Sequence, residues 1–264
     1  MSIHTVGDSH SVNGWNGIHS INGCSGVISH HLGASLCYSF GRDQLKLIDL
    51  RNYNMENGDT IVFCLGEIDC RCHVHKHITD TNDYKAVINI IVDNYFAAIK
   101  LTVETSQIKL KNVCVYNVVP PIEKQKTPEN PLQPYLGTDE ERKTYILYFN
   151  KRLKEECQKN NYIFFDIYDK YTDENGFLIK DLSDGNVHIY DGKYITEFIN
   201  ENLYENIYVE EFNKQFLELN NIFESFKFKM DNLKINHDKA IEMFKAKIEN
   251  QQIIHEKNIA MLKA

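Results

Sequence analysis

No stretch of this sequence carries the run of Lys and Arg that tracks a phosphate backbone. The formal net charge is −8, and lysines balance acids over residues 206–264, so residues 1–205 hold the acidic excess. That distribution argues against nucleic acid as a partner. Uninterrupted apolar runs of the roughly 18–20 residues needed to span a bilayer are also missing, so no membrane span is expected. The opening Met1-Ser2-Ile3-His4-Thr5-Val6 has neither the basic region nor the apolar stretch of a secretion signal. Proline is scarce, and all five prolines lie between Pro120 and Pro134. Cysteine occurs seven times, an odd set in a chain too large to need disulfide staples. Runs such as Ile61-Val62-Phe63-Cys64-Leu65 and Val113-Cys114-Val115 make these thiols small buried hydrophobes. A reducing, cytoplasmic compartment is the expectation.

What is present alternates. Ile3-His4-Thr5-Val6 reads as a short strand that ends at Gly7-Asp8-Ser9-His10, and residues 11–26 read as loop or irregular helix. Residues 46–50 fit a strand or a short helix. Residues 60–65, 112–119 and 162–166 are continuous apolar runs of the kind buried on both sheet faces. Helical spacing covers 81–103, about 138–160, and 192 to about 204, the second opening on Thr138-Asp139-Glu140-Glu141. The prolines make 120–137 an extended loop. Buried strands alternating with helices predict parallel βαβ units, whose sites collect at the carboxyl ends of the strands.

From about Phe212 the period changes. Phe212, Phe216, Leu219, Phe223, Phe226, Met230, Leu233, His237, Ala240 and Phe244 follow 4-3 spacing, with Ile248, Ile259 and Leu262 extending the stripe. That is a coiled-coil pattern. The alternative is a long helix packed back on the body. At ~1.5 Å per residue such a helix is too long to bury its whole stripe there. Two parts are therefore expected: an α/β domain over 1–205, and a helical coiled-coil segment over 206–264 that makes homo-oligomers through residues 212–262.

Ser9, in a sharp turn at a strand's carboxyl end, is placed as a nucleophile with backbone N–H groups nearby. The bland alternative is an ordinary turn serine. A serine needs a base and the base needs an orienting acceptor, which the late Asp184-Gly185-Asn186-Val187-His188 supplies. Together with Gly66-Glu67-Ile68-Asp69 after a buried strand, these stretches resemble blocks I, III and V of the SGNH (GDSL-like) hydrolase superfamily. His31-Leu32-Gly33 sits where the block II glycine is expected. The resemblance covers residues 1 to about 205 and is nearest to a subgroup with GDSH and GEIDCR-type motifs, similar to polysaccharide O-acyl esterases.

The resemblance implies a flavodoxin-like three-layer α/β/α sandwich with a parallel sheet, no metal and no cofactor, and catalysis by Ser9, His188 and Asp184. Gly33, Arg71, Asp69, Asp8, His10, Glu67 and His73 are the oxyanion or substrate-binding candidates. Two positions depart from the family pattern. Ile68 stands where the family has an asparagine that donates to the oxyanion, leaving Arg71 or His73 as substitutes. Gly185 stands where the acid belongs, leaving Asp184, Asp181 or no acid.

Cys70-Arg71-Cys72-His73-Val74-His75-Lys76-His77 has metal-ligand residue types, but not the usual zinc spacing. It is read as a site loop in which Asp69, Arg71 and His73 form a wall. The loop 120–134 either flanks the cleft or is a plain crossover, and Trp15 and Tyr38 either stack on a sugar or belong to the core. The expected activity is removal or transfer of an acyl group, acetyl by preference, on a carbohydrate. The alternative is an inactive carbohydrate-binding scaffold of the same fold, with the coiled coil as the main or an accessory function.

Overall fold

The computed structural model describes every residue except 19–20, 22–23, 127–129, 204–206 and 263–264; for 207–215 and 253–262 it describes the helical backbone alone. Five strands form one sheet: β1 (Ile3–Gly7), β2 (Val27–His31), β3 (Thr60–Cys64), β4 (Asn112–Tyr116) and β5 (Ile163–Phe165). All neighbours are parallel and the spatial order is β2-β1-β3-β4-β5. This is the doubly wound order whose direction of winding reverses between β1 and β3, which opens a crevice at the carboxyl ends of those two strands.

The helices are α1 (Cys37–Asp43), α2 (Tyr84–Ser106), α3 (Asp139–Asn160) and α4 (Lys193–Asn202). Alternate strand residues feed two cores, as a sheet covered on both faces requires. Val6, Ile61, Phe63 and Val115 face Ile88, Ile91, Tyr95 and Ile99 of α2 and Tyr145, Phe149 and Leu153 of α3. Ile3, Val62, Cys64, Tyr116 and Phe165 face Trp15 and Ile195 and Ile199 of α4. By length and composition α2 could cross a membrane, yet half of its most apolar stretch is buried inside the domain. All seven cysteines are unpaired, and six are buried.

Several elements differ from the sequence expectation. Residues 27–31 form the edge strand β2, between the expected loop at 11–26 and the His31-Leu32-Gly33 motif, where no strand was expected because a half-covered edge needs no apolar run. Of the strand or short helix expected over 46–50, no strand forms; short 3-10 turns lie at Gln44–Lys46 and Leu50–Asn52. The runs at 60–65, 112–119 and 162–166 are trimmed to the residues that pair. The Asp69–His77 segment is not extended: it is one wide helical turn followed by a 3-10 turn.

By contacts the chain forms two compact units, Met1–Asn206 and Ile207–Ala264; the expected boundary at 205/206 lies outside the described residues. The second unit is a single helix, α5 (Ile207–Leu262), with no Gly or Pro along its length. Within it Phe216, Leu219, Phe223, Phe226, Met230, Leu233, Phe244 and Ile248 are all exposed. The side chains of Phe212, Ile259 and Leu262 lie outside the described residues.

Candidate active site

Gly7 closes β1 against β3 so tightly that a Cβ on it would fall 1.9 Å from the Cys64 carbonyl oxygen. Asp8 N–H then donates to that same carbonyl at 3.2 Å, and the chain turns, presenting Ser9 half-buried at the carboxyl edge of the sheet. The Ser9 hydroxyl lies 2.8 Å from His188 Nε2, and His188 Nδ1 lies 2.7 Å from Asp184 Oδ2. A carboxylate only accepts, so Nδ1 carries the proton and Nε2 is left to accept from Ser9.

The acid sits four residues before the histidine. Gly185 takes φ +82°, and the Asp184 carboxylate folds back over the loop, accepting from Asn186 N–H at 2.8 Å. That turn absorbs the extra residue; Asp181 is exposed in a neighbouring 3-10 turn. Partial burial alone would raise the Asp184 pKa, but the hydrogen bonds from His188 and Asn186 outweigh it and bring it below the usual value. His188 is shifted down, first by burial and then by the neighbouring His10, against the pull of Asp184.

Behind the serine lies a buried charged chain. His10 Nδ1 faces Asp8 Oδ1 at 3.0 Å and Nε2 faces the Val187 carbonyl at 3.1 Å. Its ring centroid is 5.0 Å from that of His188. Glu67 is held by Arg71 through two hydrogen bonds of 2.7 and 2.9 Å, and the Arg71 charge takes its carboxyl below the ordinary range against the effect of burial. A cavity of about 10 Å³, the size of a single water, is lined by Asp8, His10, Glu67 and Asn117 among others.

Several expected contact residues have other work. Asp8, His10, Glu67 and Arg71 are each 8% exposed or less, and they bind one another rather than facing a cleft. Arg71 also donates to the Gln133 carbonyl at 2.5 Å, and Leu136 N–H donates to the Arg71 carbonyl. Arg71 thus pins the proline-rich loop and has no contact with Ser9 among the described residues. Asp69, fully buried, accepts from the N–H groups of Cys37 and Tyr38 at 2.7 and 3.1 Å; it caps α1 from across the fold, and burial raises its pKa to about 7. His73 packs between Tyr38 and His77, its pKa lowered to about 4 by burial and by His77.

Ile68, also buried, lines a cavity of about 220 Å³ with Ala34, Leu36, His73, Leu132 and Gln133. Trp15 is 1% exposed, packs on Tyr116 and Phe165, and donates to the His10 carbonyl, so it belongs to the core; Tyr38 is exposed. Gly33 is exposed, and neither its N–H nor that of Ser9 has an acceptor among the described residues. His75 turns away toward Tyr145, and no group of three or more metal-ligating side chains occurs among the described residues. Sequence reasoning missed the Val187 carbonyl as a partner of His10. Its only signal was adjacency to His188.

No protein-family model and no curated protein matches the chain. Solved structures do. A Streptococcus pneumonia protein whose description names platelet activating factor is similar at 16% identity over 76% of this chain and 83% of its own, with a TM-score of 0.53. What is shared is the fold: a five-stranded parallel sheet in an α/β domain. A GDSL-like lipase from Bacteroides thetaiotaomicron VPI-5482 matches at 16% identity over 75% of this chain and 83% of its own, TM-score 0.49. An acetyl xylan esterase matches at 15% over 75% and 98%, TM-score 0.48. In this sheet Ser9 follows β1 and Glu67 follows β3, the two strands that flank its reversal point.

Proposed function

We propose that the domain is a serine acyl-ester hydrolase. The observation that carries this reading is the continuous line from the Ser9 hydroxyl through His188 to Asp184, 2.8 and 2.7 Å. Neutral His188 takes the Ser9 proton as the oxygen attacks the ester carbonyl. Asp184 keeps the imidazole in the accepting tautomer and stabilises the imidazolium that forms. The N–H groups of Ser9 and Gly33, left without internal acceptors, receive the negative charge on the carbonyl oxygen. His188 returns the proton to the leaving alcohol, and water attacks the acyl-serine by the same route.

An acetylated carbohydrate is the substrate class we favour, from the resemblance of the motifs. Transfer of the acyl group to a sugar hydroxyl would use the same residues. Ile68, which has no donor to offer, favours a slow enzyme or a non-catalytic carbohydrate-binding protein as the second reading. Turnover of p-nitrophenyl acetate separates the two. Wild type is expected to exceed Ser9→Ala by about a thousandfold or more, and a serine-directed phosphonate should label Ser9 alone. Equal rates for the two proteins would remove the enzyme reading.

We also propose that α5 associates with further copies of itself through its heptad stripe, whose side chains are exposed in the single chain.

A further inference from the structure

His10 follows the serine in the chain, and its ring bonds to other partners, so its two ring nitrogens are what set it apart. Nδ1 faces the carboxylate of Asp8 and Nε2 faces the carbonyl of Val187. Both partners only accept. A neutral imidazole has one N–H, so either tautomer would leave a ring lone pair aimed at a carbonyl or carboxylate oxygen, on a residue that is only 5% exposed. Only the imidazolium satisfies both contacts. Its position makes that charge consequential, because Val187 precedes His188 and the two imidazole rings lie 5.0 Å apart.

We propose that His10 is a positioning residue for the catalytic base: an imidazolium at neutral pH that clamps the late loop to the nucleophile turn and keeps His188 unprotonated. The proposal rests on the hydrolase reading above and adds a cation to it. A positive charge at this distance disfavours a second one on His188. The same charge anchors the backbone one residue before the base, so the clamp and the field come from one ring.

The surrounding groups are consistent with this assignment. From the nucleophile turn Asp8 faces His10, with its backbone and ring both on Oδ1. From the segment after β3, Glu67 acts on both histidines, but its charge is shared with Arg71. From the late loop Asp184 faces only His188. His10 is raised to about 9, burial being outweighed by Asp8 and then Glu67. His188 moves the opposite way, in part because of His10. Two imidazoles in contact are thus held in different protonation states by their partners.

The test has two arms. In the wild-type protein, nitrogen-detected NMR of the histidine rings at pH 7.5 should show His10 with both nitrogens protonated and His188 neutral. His188 should titrate below 6.5 and His10 well above 8. In His10→Gln, the acid limb of the kcat/KM profile for p-nitrophenyl acetate should move upward by about one pH unit, beyond any loss in the plateau. A single-tautomer neutral His10 at pH 7.5 overturns the proposal, as does a His10→Gln profile that falls in height with its inflection unmoved. If His10→Gln does not fold, the wild-type spectra decide. A wild type with no esterase activity but with the expected ring states would sink the hydrolase reading and leave the assignment of His10 standing.

Discussion

At the scale of single residues, the site depends on a few atoms whose roles separate cleanly under substitution. Asp184→Asn keeps the shape of the loop but can hold His188 in the wrong tautomer; kcat on p-nitrophenyl acetate should drop by about 10²–10⁴, whereas Asp181→Ala should leave it unchanged. In the proposed reaction His188 must be neutral to accept the proton, and its pKa lies below the ordinary 6.5. Activity should therefore already be near its plateau at neutral pH and fall only below that value as the ring gains a proton.

Gly7→Ala has no room for its methyl group against the Cys64 carbonyl; a loss of about 3 kcal/mol is expected in chemical denaturation. Ser9, His188 and Asp184 were legible because each stands beside its own local signal: a strand end, a late polar loop, an acid one turn away. The contacts of Arg71 were legible only in part: Glu67 stands four residues before it, but Gln133 meets it only when a loop 62 residues away is in place.

At the scale of elements, the strands with continuous apolar runs were plain in the sequence and β2 was not. Being an edge strand, it keeps only one neighbour, and Ser29, His30 and His31 break its apolar pattern. Helix α1 was hidden for a related reason. Leu36 at its start makes no side-chain cap, and the acceptor for its first N–H groups is Asp69, 31 and 32 residues away. Asp69→Ala should leave the N–H groups of Cys37, buried, and Tyr38, part-buried, unpaired and cost about 1–3 kcal/mol, read from the denaturation midpoint.

The clamp between the nucleophile turn and the late loop adds a pH dependence to stability. His10 has a folded pKa near 9 against an ordinary 6.5. Its contribution is complete below 6.5 and fades as pH rises through 9. Melting temperature should decline over that window in wild type and less steeply in His10→Gln.

At the scale of the whole molecule, an α/β domain and a 56-residue helix divide the labour. The helix exposes a heptad stripe centred on Phe223, Phe226 and Met230, and apolar side chains on that spacing stabilise by pairing along a supercoil. Phe223→Glu with Phe226→Glu in the full chain should reduce the mass in solution to that of one chain without changing turnover per site. An unchanged mass would end the coiled-coil proposal. The period of this segment was legible because a single helix displays its repeat directly. The number of strands was not, since large aromatic side chains at the seam select no one assembly.

Ser9 and His188 lie 179 positions apart, with four of the five strands threaded between them. A ribosome must therefore release nearly the entire domain before the proposed hydrolysis could begin. Fragments that end early would be silent rather than sluggish. In a refolding experiment the return of turnover would report the docking of the last loop, later than the return of the sheet's circular dichroism.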